Sequence, residues 1–199
     1  MFDSLKDNEM QVATKLIFDG LSMAKSSMEQ VLQSPITIEK VDFGQKEQVL
    51  PHIVEKADEK VHIIKTALMG ELKGSCFLVF SENDVNRVLK ACLPENVISD
   101  DSAEGNMMKM GFLTEIDNMV AAAVITEFSN FLKMEIFGGV PSLHIKKSAE
   151  VNDYIKSDIS ELDQIIHFKA IFNGEELNIS PDFIWVIHQK FVDKIKSAI

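Results

Sequence analysis

The strongest constraint on this chain is an order of elements that occurs twice. From about Glu9 to Gln33, Val12, Leu16, Leu21, Ala24, Met28 and Val31 recur at helical spacing. After Pro35 the period changes from 3.6 to 2, with Ile36, Ile38, Val41 and Phe43 alternating as in a strand. Val61 to Met69 and Cys76 to Phe80 read as two further strands, joined by a turn at Gly70 and Gly74. Ser81 or Asn83 can then cap a short helix carrying Val85, Val88, Leu89 and Leu93. The second half repeats this order. A long helix from about Ala103 to Lys133 leads to a strand beginning at Pro141. Strand-like runs cover Gln164 to Phe172 and Asp182 to Ile187, with a turn at Asn173-Gly174, and Gln189 to Ile199 has helical spacing. Gly70 and Gly174 are 104 residues apart, Val41 and Pro141 100.

A shared order at a nearly constant offset implies an internal duplication, with halves at about 9–93 and 103–199. The expected fold is α/β (α+β) in a single domain over 1–199. It has about six mainly antiparallel strands flanked by two long helices and shorter ones, because the last two strands of each half are hairpin-linked. The most polar connection, Pro94 to Asn106, lies between the halves.

Composition removes several functions. The 199 residues carry 31 acids and 20 Lys or Arg, a net charge of −11. Such a surface repels phosphate backbones and anionic lipid, so neither nucleic acid nor membrane is an expected partner. Arg87 is the only arginine, which argues against a bidentate clamp for phosphate or carboxylate. The longest apolar run, Met119 to Ile125, is too short to span a bilayer. The start, MFDSLKDNEM, has no signal-peptide pattern, so the expected location is cytoplasmic. Cys76 and Cys92 read as small core residues of a reducing compartment. His52, His62, His144, His167 and His188 show no ligand spacing, so no metal site is expected. Trp185, alternating with Phe183, reads as core.

The informative segment is the second long helix. Leu113, Ile116, Val120, Val124 and Phe131 form one broad apolar stripe, with Asp117 and Glu127 near its edges. Glu115, Asn118, Ala122, Thr126 and Ser129 lie opposite. Glu115 and Asn118, three apart, project side by side, with small Ala121 and Ala122 beneath them. A carboxylate beside an amide with no bulk around it forms a docking face for another protein.

Glu115-x-x-Asn118-Met119, an alanine-rich turn and then Pro141 after 22 intervening residues resemble the signature of the CheC/CheX/FliY phosphatase family. There the pattern is Asp or Ser, three residues, Glu, two residues, Asn, and a proline at this distance. The Glu-x-x-Asn pair alone is unspecific. Glu127/Asn130 and Glu175/Asn178 share the spacing, and Asn130 would require its proline where Asp153 stands. The duplicated order and the length extend the likeness over most of the chain. Two departures stand out. Gly111 occupies the family's Asp or Ser position, and the first half carries Lys15, Phe18 and Val41 where the second has Glu115, Asn118 and Pro141.

The resemblance implies a protein phosphatase acting on a phosphorylated CheY-type response regulator of chemotaxis. Asn118 would orient the attacking water and Glu115 would pair with a lysine of the receiver. No cofactor of its own is implied, since Mg²⁺ is expected on the partner receiver. The resemblance leaves open a non-catalytic module like the middle domain of FliM, a CheD-binding adaptor, and a monomer or homodimer. Pro141 would shape the turn after the helix, and Gly138-Gly139 would form a turn or bulge.

Overall fold

The computed structural model describes residues 5–44, 59–159 and 165–198. His52, Gln164, Ile199 and the first four residues lie outside them. In chain order the elements are helix α1 (Asp7–Leu32), strands β1 (Thr37–Gly44), β2 (Lys60–Gly70) and β3 (Gly74–Ser81), and helices α2 (Glu82–Cys92), α3 (Glu95–Ile98) and α4 (Ala103–Leu132). Strands β4 (Ile136–Gly138) and β5 (Ser142–Lys147), helix α5 (Ser148–Ile159), strands β6 (Ile165–Asn173) and β7 (Asp182–His188), and helix α6 (Lys190–Ser197) follow.

All strands join one antiparallel sheet of order β1-β6-β7-β3-β2-β4, with β5 also pairing β2. The outer strands are exchanged between the halves. β1 of the first half pairs β6 of the second, Val41 facing Ala170. β5 of the second pairs β2 of the first, His144 facing Ile63. The halves meet at the centre, where Cys76 on β3 faces Trp185 on β7. The duplication is visible residue by residue in the helices. Over 11–20 and 111–120 the buried, half-buried and exposed positions coincide at an offset of 100. α1 and α4 also end alike, on left-handed Gln33 (φ 49°) and Lys133 (φ 52°).

Local chemistry sets the boundaries. Ser102 Oγ accepts from the Gly105 N–H at 3.1 Å and starts α4. Of the two candidate caps for α2, Ser81 acts, accepting from the Asp84 N–H at 3.0 Å. Leu93 lies just past that helix, as its C-cap. The β2–β3 turn needs its glycines: Gly70 has φ +91°, and a Cβ there would lie 2.2 Å from the Glu135 carbonyl oxygen.

α1 and α4 lie together on one face of the sheet and bury most of the core. Trp185 is at its centre, stacked on Phe168 (5.8 Å between centroids, 5° between planes) with the Phe128 edge against it at 5.7 Å. On the opposite face, Val151 and Ile155 of α5 cover Val61, Ile63, Phe77, Val79, Ile184 and Val186. Because β3 and β7 are covered on both sides, they read as nearly unbroken apolar runs. Cys76 and Cys92 are free thiols, Cys76 fully buried. No helix among the described residues is long and apolar enough to cross a membrane.

Four details differ from the sequence reading. β4 makes the sheet seven-stranded, and α5 fills a stretch left without assignment. Phe131, placed in the apolar stripe of α4, is 44% exposed. The buried face rotates along this helix toward Ala121, Ile125, Phe128 and Leu132, because α4 packs on β4 and β2 as well as on α1. Asp117, placed at the stripe's edge, is completely buried.

Candidate functional site

α4 carries Glu115 and Asn118 on its outward side, both exposed, while Leu113, Ile116, Asp117 and Val120 face inward. Spacing of three residues sets the two polar side chains on neighbouring turns of one face. Neither makes a hydrogen bond or ion pair with another described residue. That leaves a carboxylate able to accept a cation and an amide able to donate and accept together.

The facing wall is the edge of the sheet. β4 and β5 form one edge along β2, interrupted by a bulge: Gly138 pairs with Leu68 and Ser142 with Lys65. Three edge residues, Gly139, Val140 and Pro141, therefore stand against two on β2. The Gly139 N–H keeps the ladder by donating to the Ala67 carbonyl at 2.8 Å. Val140 then protrudes, 93% exposed, and Pro141, with no N–H to lose, leads into β5 at Ser142. Gly138-Gly139-Val140-Pro141 is thus the bulge alternative of the turn-or-bulge expectation.

Between helix and bulge lies an open groove of about 450 Å³, lined by Thr114, Glu115, Asn118 and residues 138–141. Glu115 is the only charged side chain among these. A second hollow of about 250 Å³ continues it, sharing Asn118 and Gly138 and extending to Thr66, Ala121, Ala122 and Phe137. The small alanines keep this floor open, with Ala121 buried and Ala122 exposed.

Asp117 lies below this floor. Its Oδ2 accepts from the Thr66 hydroxyl of β2 at 2.6 Å, and its Oδ1 has no hydrogen-bond partner among the described residues. Burial pushes its carboxyl up to about 7, against the lesser lowering effect of the Thr66 bond. On β3, Cys76 is raised well above the ordinary thiol range, by burial first and by the Asp117 charge second.

Gly111, one turn before Glu115, is exposed, and a Cβ there would meet nothing within 4 Å. The position is therefore not held as glycine by packing. The Thr114 hydroxyl donates to its carbonyl at 2.8 Å. At the matching place in the first half, Lys15 is paired to Asp19 along α1, and Phe18 is 42% exposed. Neither offers a free acid or an amide. Among the described histidines, His62 pairs with Glu82 at 2.6 Å and His144 packs on Tyr154. Among the described residues no cluster of His, Cys, Asp or Glu is suited to hold a metal ion.

The sequence reading did not single out Thr114 or Val140 as groove residues, nor Thr66. Thr114 and Val140 adjoin motif positions, a signal that was available. Thr66 is brought in by the sheet and has no local signature.

No family model matches the chain. It is 22% identical over 167 residues to the CheY-P phosphatase CheC of Bacillus subtilis, covering 83% of this chain and 78% of that protein. Among solved structures, Thermotoga maritima FliY superposes with a TM-score of 0.65 at 16% identity, over 98% of this chain and 97% of FliY. The Borrelia burgdorferi CheX–CheY–BeF₃–Mg²⁺ complex matches with a TM-score of 0.52 at 16% identity, over 88% of this chain and 97% of that one. These structural matches share the fold.

Proposed function

We propose that this chain, a member of the CheC/CheX/FliY family, is a phosphatase that hydrolyses the aspartyl phosphate of a CheY-type response regulator, using Asn118 and Glu115. The observation that carries the reading is the groove itself. Its walls are the turn bearing Glu115 and Asn118 and the bulge ending at Pro141, so three motif positions separated in sequence line one surface hollow. The curated relative, a CheY-P phosphatase, and a fold neighbour solved with CheY, BeF₃ and Mg²⁺ support the same partner class.

An aspartyl phosphate is a reactive acyl phosphate, and its hydrolysis needs chiefly a water held in line with phosphorus. In this reading α4 docks over the receiver site. The Asn118 amide accepts a hydrogen bond from the attacking water and orients its lone pair toward phosphorus. As the new P–O bond forms, the bond to the receiver's aspartate breaks. The carboxylate leaves, and inorganic phosphate carries away the water's protons. An uncharged amide does this without repelling the phosphoryl oxygens, as a carboxylate would. Glu115 pairs with the receiver's lysine and sets register, the role an interfacial ion pair performs best. Mg²⁺ belongs to the receiver, and the phosphatase adds no metal.

The test is dephosphorylation of the phosphorylated receiver by wild type and by Glu115→Lys. Acceleration by wild type that is lost in Glu115→Lys supports the activity, and binding that Glu115→Lys loses but regains toward a receiver whose lysine is replaced by glutamate supports the contact. Gly111 favours one other reading. With no side chain at the family's Asp or Ser position, phosphorylation-dependent binding without hydrolysis would make this a non-catalytic interaction module of the flagellar-switch kind.

A further inference from the structure

Asp117 lies between Glu115 and Asn118 in sequence but points the opposite way, into the core, with no exposure. Its single described bond is to Thr66, whose methyl carbon lies 3.1 Å from where a Cβ on Gly138 would stand. Thr66, Asn118 and Gly138 all line the same hollow. The Asp117–Thr66 bond therefore joins the helix turn that bears the polar pair to the strand that backs the facing wall. We propose that Asp117 is a positioning residue of this site, which through Thr66 sets the spacing between the Glu115–Asn118 turn and the Gly138–Pro141 wall, and which releases that spacing when it ionises. The proposal rests on the phosphatase reading for its consequence, and on the packing alone for its mechanism.

The neutral carboxyl is the form that suits the site. It keeps the Thr66 bond at Oδ2 and leaves no charge at Oδ1, which has no partner among the described residues. Ionisation leaves a buried anion with one hydrogen bond, and such a group draws in water or shifts its backbone. The elements packed around it offer no relief. β2 contributes Thr66, which does not titrate near neutrality. β3 contributes the Cys76 thiol, which stays neutral because burial and the Asp117 charge both raise it. Among the described residues, no charged side chain shifts the Asp117 carboxyl. A groove whose walls part by even a fraction of an ångström misplaces the water held by Asn118, while the exposed Glu115 can still find its partner.

The experiment follows the Asn118 side-chain amide and the Gly138 and Gly139 backbone amides by NMR from pH 5.5 to 8.5 in wild type, Asp117→Asn and Thr66→Val. Turnover of the phosphorylated receiver, corrected for its own hydrolysis, and binding to the beryllofluoride-loaded receiver are measured over the same range. With a midpoint near 7, the neutral fraction falls about tenfold between pH 6 and pH 8, and turnover falls with it while binding holds. The amides shift together with that midpoint in wild type and stay flat in Asp117→Asn. The midpoint moves upward in Thr66→Val, because the lost bond stabilised the anion. Amides that titrate equally in Asp117→Asn, or that do not titrate in wild type, overturn the proposal. Absence of turnover at every pH overturns the phosphatase reading instead, and the amide shifts still decide whether Asp117 holds the groove.

Discussion

Asp117→Asn provides a sharp energetic test, because it changes one buried atom and leaves side-chain volume almost unaltered. In the folded chain burial pushes the carboxyl up to about 7, against 3.8 ordinarily. Between those values the folded protein holds a proton that the unfolded chain has lost, so stability falls as pH rises through the window and levels off above it. At about 1.4 kcal/mol per pH unit, the group costs wild type about 3 kcal/mol between pH 5 and pH 8, since part of the window lies below pH 5. Asp117→Asn has no such titration. Its amide brings a constant cost from an unpartnered N–H, which cancels when the two pH values are compared. Urea unfolding of both proteins at pH 5, 6, 7 and 8 measures the difference, with Trp185, the only tryptophan and fully buried, as the fluorescent probe. The stability gap should move by about 3 kcal/mol in favour of the variant across the range. Two curves that stay parallel from pH 5 to pH 8 would show that Asp117 is already ionised in the fold, and the reasoning from its burial would be wrong.

Two further outcomes follow from the site and from the matching place on α1. Gly111→Ser should fold normally, since nothing lies within 4 Å of the added Cβ. It should gain about 0.5 kcal/mol from helix propensity, read as a higher thermal midpoint. If the family's Asp or Ser position assists Glu115, the same variant also raises phosphatase turnover. Lys15→Ala removes an exposed pair with Asp19 on α1, so stability should change by less than about 0.5 kcal/mol and dephosphorylation not at all. Loss of activity there would reveal that the first half still contributes to the site.

What the sequence disclosed, and what it withheld, has a physical logic. The two long helices and the hairpins were legible because each follows from local periodicity and from glycine or proline at the boundaries. The exposed, paired disposition of Glu115 and Asn118 follows from helical spacing alone. The exchange of β1 and β5 between halves was not legible, because which strand pairs with which depends on contacts far apart in sequence, as between Val41 and Ala170 or Ile63 and His144. α5 was missed because its apolar side is thin, with Val151 and Ile155 as its buried contacts. Asp117 misled for a related reason. An acid in mid-helix reads as solvated, and only the hydroxyl of Thr66, 51 residues earlier, makes its burial tolerable. The bulge at Val140 needed the register of β4 and β5 against β2, which no local pattern encodes.

The central claim is that Asn118 positions the water that attacks a receiver's aspartyl phosphate. The direct measurement is the lifetime of the phosphorylated receiver under single-turnover conditions with excess wild type or Asn118→Ala. Binding to the beryllofluoride-loaded receiver is measured alongside. The account predicts a shortened lifetime with wild type, return to the receiver's own lifetime with Asn118→Ala, and nearly equal binding by both, because only a transition-state contact is removed. Equal acceleration by both proteins, or none by wild type despite tight binding, would contradict it.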